Sequence, residues 1–330
     1  MSAPRADLER SDTRWILSTE ELANSPSRRD GIKAEDEKKK RRQTVSFIEE
    51  CGKKLKLPKL PVVVAETYLN RFYGLNSFKA YDRFVTAQAC LFLAAKVEEK
   101  PIKLERIVVE CHLVRYESRK RPLDPGPTKN NPDYVAAKNA VLEAERVLLY
   151  SINYDFDILN LLPITHFESL LRKLKDSGVR DDQPFRQQCW NFIHDSHRTN
   201  LGLQFPPKKI ASACVFLAFV MLRKLPTETD RLRRIFDILS ISERSLNGIC
   251  DQMAELYVEM KTRYQLVADL HQMGHVTPQV ANRAKAASKA ASKAASKAAA
   301  SDAPSSSDAL RPHKKVKATT TTTSSSSPCG

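Results

Sequence analysis

The sequence predicts an all-α protein of two tandem five-helix bundles, with a short N-terminal helix ahead of them and a disordered basic tail behind. Three observations carry that expectation. From Ala89 to Ala95 every side chain is apolar, so a helix there has no polar face and belongs in the middle of a bundle. The run is far below the ~18–20 apolar residues that cross a membrane. A second copy follows 124 residues later: ASACVFLA at Ala211–Ala218 matches AQACLFLA at Ala87–Ala94 at six of eight positions. No stretch alternates polar and apolar residues as a half-buried strand would.

Taken in order, residues 1–12 lack any apolar pattern. Trp15, Ile16 and Leu17 form an isolated apolar cluster, and Ser18-x-x-Glu21 is a capping-box pattern that starts a short helix. Asn24 to Gly31 is turn chemistry. The basic run Lys38–Arg42 leads into helix one of the first bundle, with Ile48, Cys51 and Leu55 on its apolar face. Helix two spans about 61–73 through Val64, Ala65, Tyr68, Leu69 and Phe72, all at helical spacing. Helix three is the apolar stretch of 87–99, stopped by charge and then by Pro101, which cannot continue a helix. Helix four covers about 103–116. After a Pro-rich loop from Arg119 to Asp133, Asn131-Pro132 supplies an N-cap and first-turn proline for helix five, which runs to about Ile152.

The second copy opens at Pro163 with Ile164, Phe167, Leu171 and Leu174 on one stripe. Its later helices are marked by Cys189, Phe192 and Ile193, then Ile210–Leu222, then Leu232, Ile235, Phe236 and Leu239, then Leu246, Ile249, Cys250, Met253, Leu256 and Met260. Lys285, Lys289, Lys293 and Lys297 repeat every fourth residue in an Ala/Ser background. Such a segment favours helix but supplies no apolar face to dock. The expected organisation is a 1–40 extension, bundles at 41–157 and 158–265, and a low-complexity tail at 266–330.

Composition narrows the function. The chain holds 54 basic and 39 acidic residues, +15 in all, and nearly half the excess lies beyond residue 280. Seven cysteines include no C-x-x-C pair, so neither a disulfide framework nor a zinc ribbon is expected, and the compartment reads as reducing. The first ten residues have no apolar segment of the signal-peptide kind. The nine glycines never form G-x-G, and no G-x-S-x-G or H-E-x-x-H is present, so the familiar nucleotide, hydrolase and metalloprotease sites are absent. His194 and His197, with Asp195 between, share a helical face but read as solvated or core-edge histidines. No catalytic residue, cofactor, metal or membrane contact is expected.

The informative charges are Lys96 and Glu145. Lys96 ends an otherwise apolar helix, and Glu145 lies between Leu142 and Leu148/Leu149 on an apolar stripe. Such charges are disfavoured unless paired or kept for a partner. The second copy keeps the apolar core but has Val220 and Arg223 in place of Lys96 and Glu99. Packing of this helix therefore does not need the charges, which points to a partner.

The segments RWILSTEELANSPSRRDGI, NRFY (Asn70–Tyr73), FLAAKVEEKPIKLERIV (Phe92–Val108) and LQFPPKKIASACVFLA resemble the cyclin family, within it the transcriptional cyclins of the T and K types. The likeness covers about residues 14–262. It implies two cyclin boxes of five helices and a heterodimer with a cyclin-dependent protein kinase, bound through helices three and five of the first box. Lys96 and Glu145 would form a cross-helix pair there, with Phe92, Glu98, Glu99, Leu142 and Leu149 beside it. The resemblance further implies a regulatory subunit without catalysis of its own, which promotes phosphorylation of the repetitive C-terminal domain of RNA polymerase II and transcription elongation. RNA polymerase II and elongation factors are then further partners, and the compartment is the nucleus. Lys38, Lys39, Lys40, Arg41 and Arg42, and in the tail Lys314, Lys315 and Lys317, are candidate localisation signals; the basic tail also suits RNA or DNA contact. The other class of function open to such a chain is a nucleic-acid-binding protein of the general initiation factor type, whose zinc ribbon would need the paired C-x-x-C motifs this sequence lacks.

Overall fold

The computed structural model describes residues 14–117, 132–159, 162–179 and 182–301, and among them there are fourteen α-helices and no strand. The chain enters through α1 (Thr19–Ala23), held by the expected capping box: Ser18 Oγ accepts from Glu21 N–H at 3.1 Å and Glu21 Oε2 accepts from Ser18 N–H at 2.7 Å. Where the sequence reads as a turn, Ser25 as N-cap and Pro26 at the first position wind one helical turn, α2 (Pro26–Arg29). Ser27 is fully buried there, and its Oγ accepts the Phe78 N–H at 3.0 Å.

The first bundle is α3 (Ala34–Lys54), α4 (Lys59–Leu75), α5 (Arg83–Val97), α6 (Leu104–Glu117) and α7 (Pro132–Ser151). The second is α8 (Pro163–Asp176), α9 (Gln183–Ser196), α10 (Pro207–Met221), α11 (Thr229–Leu239) and α12 (Glu243–Glu259), with a 3-10 turn at Leu201–Leu203. The five-plus-five reading of the sequence is the architecture observed.

Each bundle is built round its third helix. Asp82 caps α5 by accepting the N–H groups of Phe84 and Val85 at 2.9 and 3.0 Å. The helix then buries Ala87, Ala89, Cys90, Leu91, Leu93, Ala94 and Ala95 against α3, α4 and α7. In α10 every residue from Ile210 to Val220 is buried. Small side chains at these positions let the surrounding helices approach closely.

Both central helices also stop in the same way. Glu99 and Arg223 are left-handed, with φ of 53° and 52°, and the next amide returns to the helix: Lys100 N–H to Ala95 O at 2.8 Å, Lys224 N–H to Phe219 O at 2.9 Å. This is the Schellman-type termination, usually made by glycine. The six described cysteines are all buried, and no helix among the described residues is long and apolar enough to cross a membrane.

One expectation needs correction. The tail does not begin at 266. The chain forms α13 (Tyr264–Gln272) and α14 (Pro278–Ser301), and Leu266, Val267, Leu270, Val276, Val280 and Ala284 are buried in the second core. The compact unit runs through Ser288. The Ala-Lys repeat does have a docking face at its start, made of Val280, Ala281 and Ala284, each at most 7% exposed. Alanine covers little area, but it packs closely enough to seat a helix. Beyond residue 301 the tail, with Lys314, Lys315 and Lys317, lies outside the described residues.

The run Lys38–Arg42 lies in α3 and takes part in joining the bundles. Arg41 is 4% exposed and donates to Asn70 Oδ1 at 3.0 Å, Glu37 Oε1 at 3.3 Å and Tyr73 O at 3.4 Å. Asn70 passes the link on, donating to the His197 carbonyl at 2.9 Å. Lys38 pairs with Glu255 at 2.6 Å and Arg42 with Glu259. Of the run, Lys39 is exposed and Lys40 half-buried.

Candidate partner-binding site

The end of α5 and the middle of α7 meet at the surface of the first bundle. Phe92 and Lys96 are one turn apart on α5, so their side chains share a face. The Lys96 ammonium lies 4.2 Å from the centroid of the Phe92 ring and is ion-paired with Glu145 Oε1 across the helix interface. The pair is asymmetric: the Glu145 side chain is 9% exposed and that of Lys96 42%. The carboxylate is thus held inside the bundle, and the lysine covers it while keeping its stem over the aromatic ring. Glu145 is buried within the stripe.

The other expected residues divide. Glu98 caps α5 and is half-buried, and the loss of hydration pushes its carboxyl above the usual range. Glu99 is exposed, and its left-handed backbone is what ends the helix. Leu142, one turn before Glu145 on α7, is 38% exposed. Leu149, one turn after it, packs half-buried on the first core and offers less to a partner.

Sequence reading missed the rest of the apolar surface on this side. Val135, seven residues before Leu142, is 52% exposed. At the end of α7, Tyr150, Tyr154 and Phe156 are exposed and touch edge to face, with ring centroids 5.8 and 6.3 Å apart. The seven-residue spacing of Val135, Leu142 and Leu149 was the available signal, because it extends the stripe beyond what the core needs. Exposed apolar side chains gathered along one helix mark an interaction surface.

His194, Asp195 and His197 have three different surroundings. His197 is buried, and desolvation with nearby His194 holds its imidazole down at about 3. Asp195 accepts from Tyr257 OH at 3.1 Å. His194 approaches Glu49 across the inter-bundle seam, Nδ1 to Oε1 at 3.4 Å.

Residues 12–157 match the family model described as "Cyclin, N-terminal domain", and residues 163–300 match "Cyclin, C-terminal domain". The second match reaches past α13 and covers most of α14. Among curated proteins, Cyclin-T1-4 of Arabidopsis thaliana is 30% identical over 259 residues, 78% of this chain and 46% of that protein. Cyclin pch1 of Schizosaccharomyces pombe is 30% identical over 254 residues, 77% of this chain and 71% of that one. Human Cyclin-L1 is 28% identical, over 76% of this chain and 46% of its own length. The chain thus spans about half the length of most of these relatives. In fold it resembles a chain of the yeast RNA Pol II CTD kinase CTDK-1 complex, with a TM-score of 0.59 at 17% identity, covering 91% of this chain and 87% of that one.

Proposed function

Because the chain belongs to the cyclin family, we propose that it is the regulatory subunit of a transcriptional cyclin-dependent kinase and binds that kinase through the surface of α5 and α7. The observation that carries the reading is the Lys96–Glu145 pair, assembled over Phe92 beside exposed Leu142. Protein kinases act only when a lysine–glutamate pair and the metal-binding aspartate are both in place, and the helix bearing that glutamate is a regulated element. A rigid two-helix surface of mixed apolar and charged character suits holding such a helix inward.

The chain supplies binding and position; the kinase supplies catalysis. The substrate is the C-terminal repeat domain of RNA polymerase II, a reading supported by Cyclin-T relatives at about 30% identity and by the likeness in fold to a chain of a polymerase CTD kinase complex. The site of action is then the nucleus. Capture of tagged chain from nuclear extract, with mass spectrometry and a kinase assay on polymerase repeat peptides, tests this. The reading requires a cyclin-dependent kinase in the capture and phosphate on the repeats; recovery of no kinase would overturn it.

A further inference from the structure

Glu66 sits in the middle of α4, fully buried, and neither carboxylate oxygen has a hydrogen-bond partner. A dehydrated carboxylate with no partner costs several kcal/mol, so such a group holds a proton or a cation. Two more ligand-type groups converge on it. Glu49 of α3 and His194 of α9 bring their ligand atoms, with that of Glu66, to within 4.8 Å of one another. Glu49 Oε1 also has no hydrogen-bond partner, because Arg198 takes the other oxygen at 2.6 Å and so fixes which one faces the cluster.

We propose that Glu49, Glu66 and His194 form a zinc-class divalent cation site that clamps the first bundle to the second. The donor set decides the class. Two carboxylates with one imidazole suit zinc and its neighbours, whereas magnesium and calcium prefer oxygen alone. Ligands 2.0–2.2 Å from a tetrahedral ion stand about 3.3–3.6 Å apart, and His194 Nδ1 and Glu49 Oε1 are already at 3.4 Å. Glu66 completes the set within 4.8 Å, a gap that a glutamate side chain closes by rotation. Arg198 has the supporting place that orients a ligating carboxylate. His194 also lines a surface groove with Lys59, Gln187, Trp190 and Asn191. Three protein ligands leave a fourth position for water.

This site is independent of the kinase-binding surface, and the test needs no kinase. The intact chain, stripped with a chelator, is titrated with Zn2+ by calorimetry and by melting temperature, and with Co2+ by visible absorption. The expected result is one ion per chain, a rise in melting temperature and the absorption bands of tetrahedral Co2+. Glu66→Gln, which keeps the shape of the side chain, and His194→Ala should each weaken binding at least about tenfold, the lower end of what even supporting residues cost. Glu35→Gln strikes the other acidic cluster, Glu35 with Glu255 and Glu259, and should bind as the unaltered chain does. Absence of any thermal or spectral response in the unaltered chain would overturn the proposal. Undiminished binding by Glu66→Gln would do so equally, leaving Glu66 as a buried protonated acid.

Discussion

Glu99 shows how a residue singled out for its charge can matter through its backbone. It stands at the left-handed position that ends α5, and its repeat counterpart Arg223 does the same for α10. A non-glycine residue in that conformation is strained by about 1–2 kcal/mol, part of which glycine gives back through its freer unfolded chain. Glu99→Gly should therefore raise stability by roughly 0.5–1 kcal/mol, and Arg223→Gly by a similar amount. Thermal unfolding checks both; a fall in melting temperature for either would mean the side chain does more than the backbone. Lys96 and Glu145 were legible as charges on apolar stripes. Glu66 was legible in the same way, since Val62, Glu66, Leu69 and Tyr73 share a buried stripe of α4. Its meaning was not, because Glu49 and His194 come from other helices and only folding brings them close.

At the scale of the element, the ten bundle helices could be read because their stripes are made of large residues at regular spacing. The same logic failed where faces are narrow. The seat of α14 is two alanines and a valine, which look like the rest of an Ala-Lys repeat. Truncation before Ala281 should thus lower the melting temperature by a few degrees, since it strips small buried side chains worth roughly 1–2 kcal/mol from the second core. Truncation before Lys289, which spares Ala281 and Ala284, should cost less. Equal melting temperatures for the two truncated chains would show that this turn contributes nothing. The contact of α3 with α4 gives a second test. A Cβ placed on Gly52 comes 2.5 Å from Val62 Cγ2, so Gly52→Ala should destabilise by about 1–3 kcal/mol through overpacking. Adding Val62→Ala should recover part of the loss; additive losses in denaturant unfolding would place the strain elsewhere.

The whole molecule is two copies of one bundle that have diverged in what they show to the outside. Their seam is polar and specific: Arg41 through Asn70 to His197, Lys38 to Glu255, Arg198 to Glu49. None of these links was visible in the sequence, where the partners lie 127 to 217 residues apart along the chain, apart from the local Arg41–Asn70 step. The outward difference between copies was visible, because Lys96 aligns with Val220, which is buried and 5% exposed. The first copy sets Lys96 within its central helix, over Phe92 and paired across to Glu145; the second places its lysine past the helix end, where Lys224 pairs with Asp182 beside Phe185. A binding titration of the captured kinase against unaltered chain, Lys96→Ala, Glu145→Ala and Arg223→Ala, with circular dichroism on each, tests the central claim most directly. Truncating one member of a desolvated interfacial pair costs about 2–5 kcal/mol, or roughly 30-fold to several-thousand-fold in affinity. The account predicts that loss for Lys96→Ala and Glu145→Ala, with folded spectra, and binding close to the unaltered chain for Arg223→Ala. Folded Lys96→Ala that binds the kinase as tightly as the unaltered chain would contradict it.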